Sequence, residues 1–201
     1  MTRWWLLFVP LFLLGCTTSP PRNTDDLCAI FEEKDDWYED AAEARDAWGS
    51  PIPVMMAILH QESRFRARAR PPRKKIFGFI PGPRPSDAYG YSQAKKSTWK
   101  AYERSAGRYW ADRHDFADAI DFVGWYNAMS RRINEIPADD AANLYFAYHE
   151  GNGGYARGRH WDKPWLLDTG ARVQANSKRF DAQYAGCRPE LEKNWLQRLF
   201  S

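Results

Sequence analysis

The chain has 201 residues and a formal net charge of +3, from 29 Lys and Arg against 26 Asp and Glu. So mild an excess does not supply the dense basic face of a nucleic-acid binder, and the length suits one real core. Aromatic residues make up 15% of the chain, with 10 Trp, 10 Tyr and 11 Phe; that excludes a disordered polymer and leaves rings for a groove that takes flat, partly polar ligands such as sugars.

The first element is an address. Arg3 precedes an apolar run, Trp4 to Leu14, broken only by Pro10. The run is too short to span a bilayer comfortably and reads as the core of a secretory signal. Leu13-Leu14-Gly15-Cys16 resembles the lipobox of bacterial lipoproteins, in which the peptidase cuts before the Cys and the thiol carries the lipid. The resemblance implies a leader over 1–15 and a lipid anchor on Cys16. With Thr17 rather than Asp after the Cys, it implies the periplasmic side of the outer membrane. The stretch 16–26, polar and carrying Pro20 and Pro21, then reads as the lipidated Cys and a flexible tether, and one domain runs over 27–201. In an oxidising compartment, Cys28 and Cys187 either bond and clamp the two ends of that domain or are two unrelated thiols.

The rest of the chain reads as mainly α. No run alternates with period two for long enough to argue a sheet. Leu27 to Trp48 carries apolar residues at helical spacing and stops at Gly49. Ser50-Pro51 reads as a cap followed by Pro at the first helical position, and Val54, Met55, Ile58 and Leu59 form an apolar stripe. Arg66 to Pro85 holds five prolines and seven cations, a density no helix interior accepts. It is a long basic loop: either a solvated insertion, or a lid over a groove for an anionic polymer with Phe77, Phe79 and Ile80 docked on the rim. Further helices are expected over Ser97–Ala106, from Asp115 through Ile133, from Asp139 or Asp140 past Tyr148, and over Thr169–Tyr184. Pro189 opens a last amphipathic piece with Leu191, Trp195, Leu196 and Leu199.

Glu62 ends an otherwise apolar helix. Desolvation raises a carboxyl pKa, so such a group can hold a proton near neutral pH and act as a general acid. His60-Gln61-Glu62-Ser63-Arg64-Phe65 resembles the Glu-Ser motif of the soluble lytic transglycosylase (SLT) domain family, and Gly90-Tyr91-Ser92-Gln93 its Gly-Leu-Met-Gln motif. Ser97-Thr98-Trp99 stands where that family often has a Thr that begins a helix. Asp121 to Tyr126 resembles, loosely, its Asn-Ile-x-x-Gly-x-x-Tyr stretch, and Ala147-Tyr148-His149-Glu150-Gly151 resembles its Ala-Tyr-Asn-x-Gly motif. The motifs come in the family's order and cover about 50 to 175.

The resemblance implies a mainly α, lysozyme-like SLT-type domain with a long basic loop insertion, acting on the peptidoglycan glycan strand. Glu62 is the implied acid and base; Ser63, Tyr91, Gln93, Tyr148, His149 and Gly151 are the implied substrate-binding residues. The family forms a 1,6-anhydro product with one carboxylate and needs no metal or cofactor; no His pair at i, i+4 and no Cys pair here offers a metal site. Three departures stand out. Tyr91-Ser92 replaces Leu-Met, His149 replaces the motif's Asn, and the Ser that follows the family's catalytic Glu has Ser86 as its nearest match. Glu150 is either a second groove carboxylate or solvent-exposed. Trp110, Trp125, Tyr155, Trp161 and Trp165 are rings for core or for sugar, mostly core. Two alternatives stay open: a conventional hydrolase of the same polymer, and a wall-binding lipoprotein with a degenerate groove. The oligomeric state is left open.

Overall fold

A helix that is apolar on every side must be enveloped, and the fold is built around one. In the computed structural model, which describes residues 19–199 with side chains through 193, the helix α3 (Ile52–Ser63) is buried continuously from Ile52 to His60. The leader and Cys16 lie outside the described residues, as do the side chains of Trp195, Leu196 and Leu199. Around α3 stand α2 (Trp37–Trp48), α5 (Phe116–Asn134), α6 (Ala141–Glu150) and α8 (Pro164–Leu199), with α1 (Leu27–Glu33) against α8. α4 (Lys96–Ala106) packs on α5, and the short α7 (Asn152–Ala156) on α5 and α6. Strands β1 (Lys75–Ile76) and β2 (Ile80–Pro81) pair antiparallel in the basic segment. The architecture is mainly α. None of the helices among the described residues is long and apolar enough to cross a membrane.

Local chemistry sets most of the helix ends. The Asp115 and Asp140 carboxylates accept the backbone N–H groups of Asp118 and Asn143, capping α5 and α6. Gly49 and Gly107 close α2 and α4 in the left-handed conformation. Gly90 is required by a close approach: a Cβ there would lie 1.7 Å from the Arg113 carbonyl oxygen. Inside, the buried Asp121 carboxylate accepts the Trp48 indole N–H at 2.8 Å and the Tyr102 hydroxyl at 2.5 Å, tying α2 and α4 to α5.

Five expectations are corrected. Leu27–Trp48 is two helices, because the backbone leaves the helical region at Lys34, with φ −120° and ψ 84°, and the chain restarts at Trp37. Ser50 does not cap α3; it is buried and its hydroxyl accepts the Asn127 amide at 3.0 Å. Pro189 does not open a new helix but lies inside α8. Its ring removes one backbone donor, while its fixed φ is already close to a helix's own. The stretch 19–26 is not a free tether. Pro21 is buried, the Arg22 N–H donates to Glu33 at 2.9 Å, Asp25 pairs with Arg179 at 2.9 Å, and the Leu27 N–H donates to Gln183 at 2.9 Å. Finally, the tip of the basic loop does not dock: Phe77 is 85% and Phe79 75% exposed.

Cys28 and Cys187 form a disulfide across 159 residues, with Cα atoms 6.0 Å apart, joining α1 to α8. A loop that long removes roughly 5 kcal/mol of chain entropy from the unfolded state. We expect the double Cys28→Ala, Cys187→Ala variant to keep the helical circular dichroism of the parent. Its free energy of unfolding from denaturant titration should fall by most of that amount. Unchanged stability, with the parent's thiols blocked to alkylation, would sink the clamp.

Candidate active site

A cavity of about 540 Å³ opens where α3, α4, α5 and α6 converge. Glu62 lines it from the last turn of α3. Pro71, Ser86 and Ala88 come from the two ends of the basic segment, and Gln93 and Ala94 from the turn that follows. Lys95, Ser97 and Thr98 come from the start of α4, Phe122 and Tyr126 from α5, and Tyr148, His149, Glu150 and Gly151 from the end of α6.

Glu62 is delivered by an abrupt stop. Arg64 and Phe65, neither of them Gly, are both left-handed, with φ of 50° and 57°. Such residues are uncommon. Here the reversal is held by the fully buried Phe65 ring, which packs against Trp37 and His60. The Glu62 carboxyl is left among protein groups at the cavity wall. Burial pushes its pKa from the ordinary 4.5 up to about 7, and a hydrogen bond with the Tyr145 hydroxyl pulls the other way. Tyr145 and Tyr148 stand three apart on α6 and so share a face. Burial and the neighbouring Glu62 raise both phenols, so both remain neutral hydroxyls. Tyr148 donates to the Ser92 carbonyl at 2.6 Å, and Tyr126 donates to the Ala147 carbonyl at 3.2 Å, which fixes α6 against the cavity.

The implied binding residues divide. Gln93, Tyr148, His149 and Gly151 line the cavity with Glu62. The Gln93 amide donates to the Ala69 and Gly90 carbonyls, at 3.0 and 2.8 Å, and so joins the two roots of the basic segment. Gly151 turns the chain from α6 into α7 with φ 74° and ψ 153°. Ser63 and Tyr91 are elsewhere. Ser63 is buried and its hydroxyl donates back to the Leu59 carbonyl, while Tyr91 is a core ring packed edge-on to Trp37 and Phe116. Tyr91 therefore does not line the cavity as an implied binding residue would, whereas Ser86 does.

Glu150 is not solvent-exposed. Its side chain is 5% accessible, and Oε1 accepts Lys163 Nζ at 2.5 Å and faces His149 Nδ1 at 3.0 Å. Burial raises its pKa, but these two partners outweigh burial and the net shift is downward, so it stays ionised. His149 meets the edge of Trp165 at 5.1 Å. The aromatic rings also sort differently from expectation: Trp125 is core, while Trp110, Trp161 and Trp165 are exposed. Sequence reasoning missed Tyr145 and Lys95. Tyr145 carried a signal, its i−3 spacing from Tyr148; Lys95 carried none. Among the described residues no group of His, Cys, Asp and Glu could hold a metal ion.

The chain matches the transglycosylase SLT domain family over residues 4–187, nearly its whole length, and belongs to that family. Membership implies a peptidoglycan lytic transglycosylase type of activity on the glycan strand. No curated protein and no solved structure matches it.

The Glu62 environment has a consequence for stability. The folded protein keeps a proton that the unfolded chain releases between 4.5 and about 7. The stability this group contributes is complete below 4.5 and is lost as pH rises through 7, at up to about 1.4 kcal/mol per pH unit. Glu62→Gln, neutral throughout, should lose less stability across that window and overtake the parent above it. Parallel pH slopes in denaturation series would contradict this. Tyr145→Phe removes the bond that favours the carboxylate. It should therefore move the alkaline limb of the pH–activity profile to higher pH.

Proposed function

We propose that this family member cuts the β-1,4 bond between N-acetylmuramic acid and N-acetylglucosamine, with Glu62 as the one catalytic acid and base, and leaves a 1,6-anhydro-N-acetylmuramic acid end. The observation that carries this reading is a carboxyl enclosed by protein and bonded to Tyr145, at the wall of a cavity large enough for sugar rings, where burial pushes its pKa up to about 7. Protonated Glu62 gives its proton to the glycosidic oxygen. The bond from C1 to that oxygen breaks, and its electron pair leaves with the N-acetylglucosamine hydroxyl. The substrate's N-acetyl oxygen shields the cation at C1. Glu62, now a carboxylate that accepts from Tyr145, takes the proton of the C6 hydroxyl, whose oxygen closes on C1. Glu62 ends protonated and no water is consumed.

The two opposing influences on Glu62 fit the two halves of this cycle. Burial favours the acid that starts it, and the Tyr145 hydroxyl favours the carboxylate in the middle. Gln93, Tyr148, His149, Gly151 and Ser86 are the proposed sugar contacts. We also propose that residues 1–15 are a leader removed before Cys16, that Cys16 carries a lipid, and that the enzyme works on the periplasmic side of the outer membrane. The domain proposed over 27–201 then takes the ordered stretch 19–26 with it.

One observation favours a second reading. Glu150 is an ionised carboxylate in the same cavity, and a carboxylate opposite the acid can activate water, as in a conventional hydrolase. Mass spectrometry of digested glycan separates the two, because the anhydro end is lighter by one water than a hydrolysed end. We expect anhydro ends, and at least a 100-fold loss in Glu62→Gln, an order-of-magnitude figure for general acid–base removal. Hydrolysed ends would establish the second reading. A wall-binding but inactive parent would leave only the degenerate-groove alternative.

A further inference from the structure

The basic segment is more ordered than a solvated loop and more exposed than a lid. Lys75 pairs with Pro81 and Ile76 with Ile80, and the ladder is extended by the Gly82 N–H donating to the Lys74 carbonyl at 2.7 Å. Arg73 and Arg84 donate to the carbonyls of Gly82 and Pro71, bracing the stem. The turn is made by Phe77 and Gly78 with positive φ of 52° and 82°. What this hairpin presents is apolar. Ile76, Phe77, Phe79 and Ile80 are exposed at 44, 85, 75 and 44%, and a Cβ at Gly78 would meet nothing within 4 Å. The tip contributes no residue to the cavity that holds Glu62.

Around this tip the charge has one sign. From Arg66 to Pro85 there are seven cations and no carboxylate. Arg73, Lys74, Lys75 and Arg84 make no ion pair with any of the described residues. An apolar wedge on a basic stem has the chemistry of an interfacial anchor. Rings enter the headgroup and acyl boundary while cations meet anionic headgroups. A glycan strand is a poorer match, because five successive residues, Ile76 to Ile80, carry no side chain that hydrogen-bonds a sugar hydroxyl.

The fold also sets where a membrane would lie. Pro20 stands against Arg66 to Arg70, at the root of the hairpin, and Pro21 is buried. Cys16 is four residues upstream of Pro20, a stretch of chain that reaches no more than roughly 14 Å from Pro20 itself. We propose that the Phe77-Gly78-Phe79 tip inserts into an anionic lipid surface, the same membrane that the lipid on Cys16 enters, and orients the cavity relative to it. The shared membrane rests on the anchoring reading above; insertion of the tip does not.

The test uses the full chain purified from membranes with Phe79→Cys carrying a nitroxide. Cys28 and Cys187 are bonded to each other, and intact mass reads whether Cys16 is acylated. In vesicles of phosphatidylethanolamine and phosphatidylglycerol, the label should show a severalfold rise in its ratio of oxygen to nickel-chelate accessibility. A control label at Arg132→Cys, on an exposed residue at the end of α5, should stay in water. Adding Lys74→Ser and Lys75→Ser should reduce the rise, and uncharged phosphatidylcholine should do the same. A label at 79 as open to the nickel chelate as the control would overturn the proposal. So would shielding that appears only when soluble peptidoglycan fragments are added, which would make the wall the partner. If intact mass shows no acyl group, the anchoring reading alone fails, and the same labels placed in a Cys16→Ser background still decide insertion by the same ratio.

Discussion

Everything in this molecule follows from what the last turn of α3 is made to do. Nine consecutive residues, Ile52 to His60, are buried, so neighbours must close over the helix from every side. The chain then has to place a carboxylic acid two residues further on. An exposed Glu there would be an ordinary surface group; a fully enclosed one would be an unpaired charge that water cannot reach, which folding disfavours strongly. The structure takes the intermediate solution, with Glu62 at the wall of a cavity and one tyrosine hydroxyl against it. The displaced pKa of Glu62 is therefore a by-product of enclosing α3, and no charged neighbour is needed to produce it.

The remaining elements hold that wall in position. α6 must bring Tyr145 against Glu62 and Tyr148 to the cavity together, and its own registration comes from the Asp140 cap at one end and Gly151 at the other. α5 supports it through Tyr126, and α5 is in turn joined to α2 and α4 by the Asp121 carboxylate. Asp121 is a buried carboxylate with a different task from Glu62. It accepts from an indole and a phenol inside the core, so it organises packing and is not presented to a substrate. The disulfide and the Pro21–Asp25 contacts then fasten the start of the domain to α8.

Much of this was legible in the chain, and for local reasons. Asp115, Asp140, Gly49 and Gly107 announce helix ends because capping chemistry acts within four residues. Glu62 was legible because an apolar run before a single acid is a statement about solvent. The failures come from interactions that sequence does not carry. Lys34-Asp35-Asp36 contains no Gly or Pro to stop α1, and Asp36, the N-cap residue of α2, makes no side-chain cap bond, so the only mark of the break is an Asp that does not act as Asp115 and Asp140 do. Ser50 reads as a cap until its hydroxyl is found against Asn127, far along the chain. Ser63 and Tyr91 stand inside motifs beside site residues, yet neighbours on a helix or turn point different ways, and both point into the core. Glu150 looked solvent-exposed because its partner Lys163 lies beyond α7.

That last pair bears on the chemistry. A carboxylate in a cavity with Glu62 is at first sight the second acid of a two-carboxylate glycosidase. Its surroundings argue otherwise for proton donation: the Lys163 ammonium at 2.5 Å and His149 hold it ionised, so it has no proton to give near neutral pH. As a base for water it starts from an equally poor position, because the charge that would activate water is already spread over two donors. Tyr145, by contrast, leaves Glu62 free to cycle between acid and carboxylate, since one neutral hydroxyl can accept or donate as the proton moves. Between the two carboxyls of the cavity, one is tuned to exchange a proton and the other is pinned as an anion. In the cycle we propose, one exchangeable site both gives and takes the proton, and the nucleophile that best suits such a cycle is a hydroxyl already carried by the sugar.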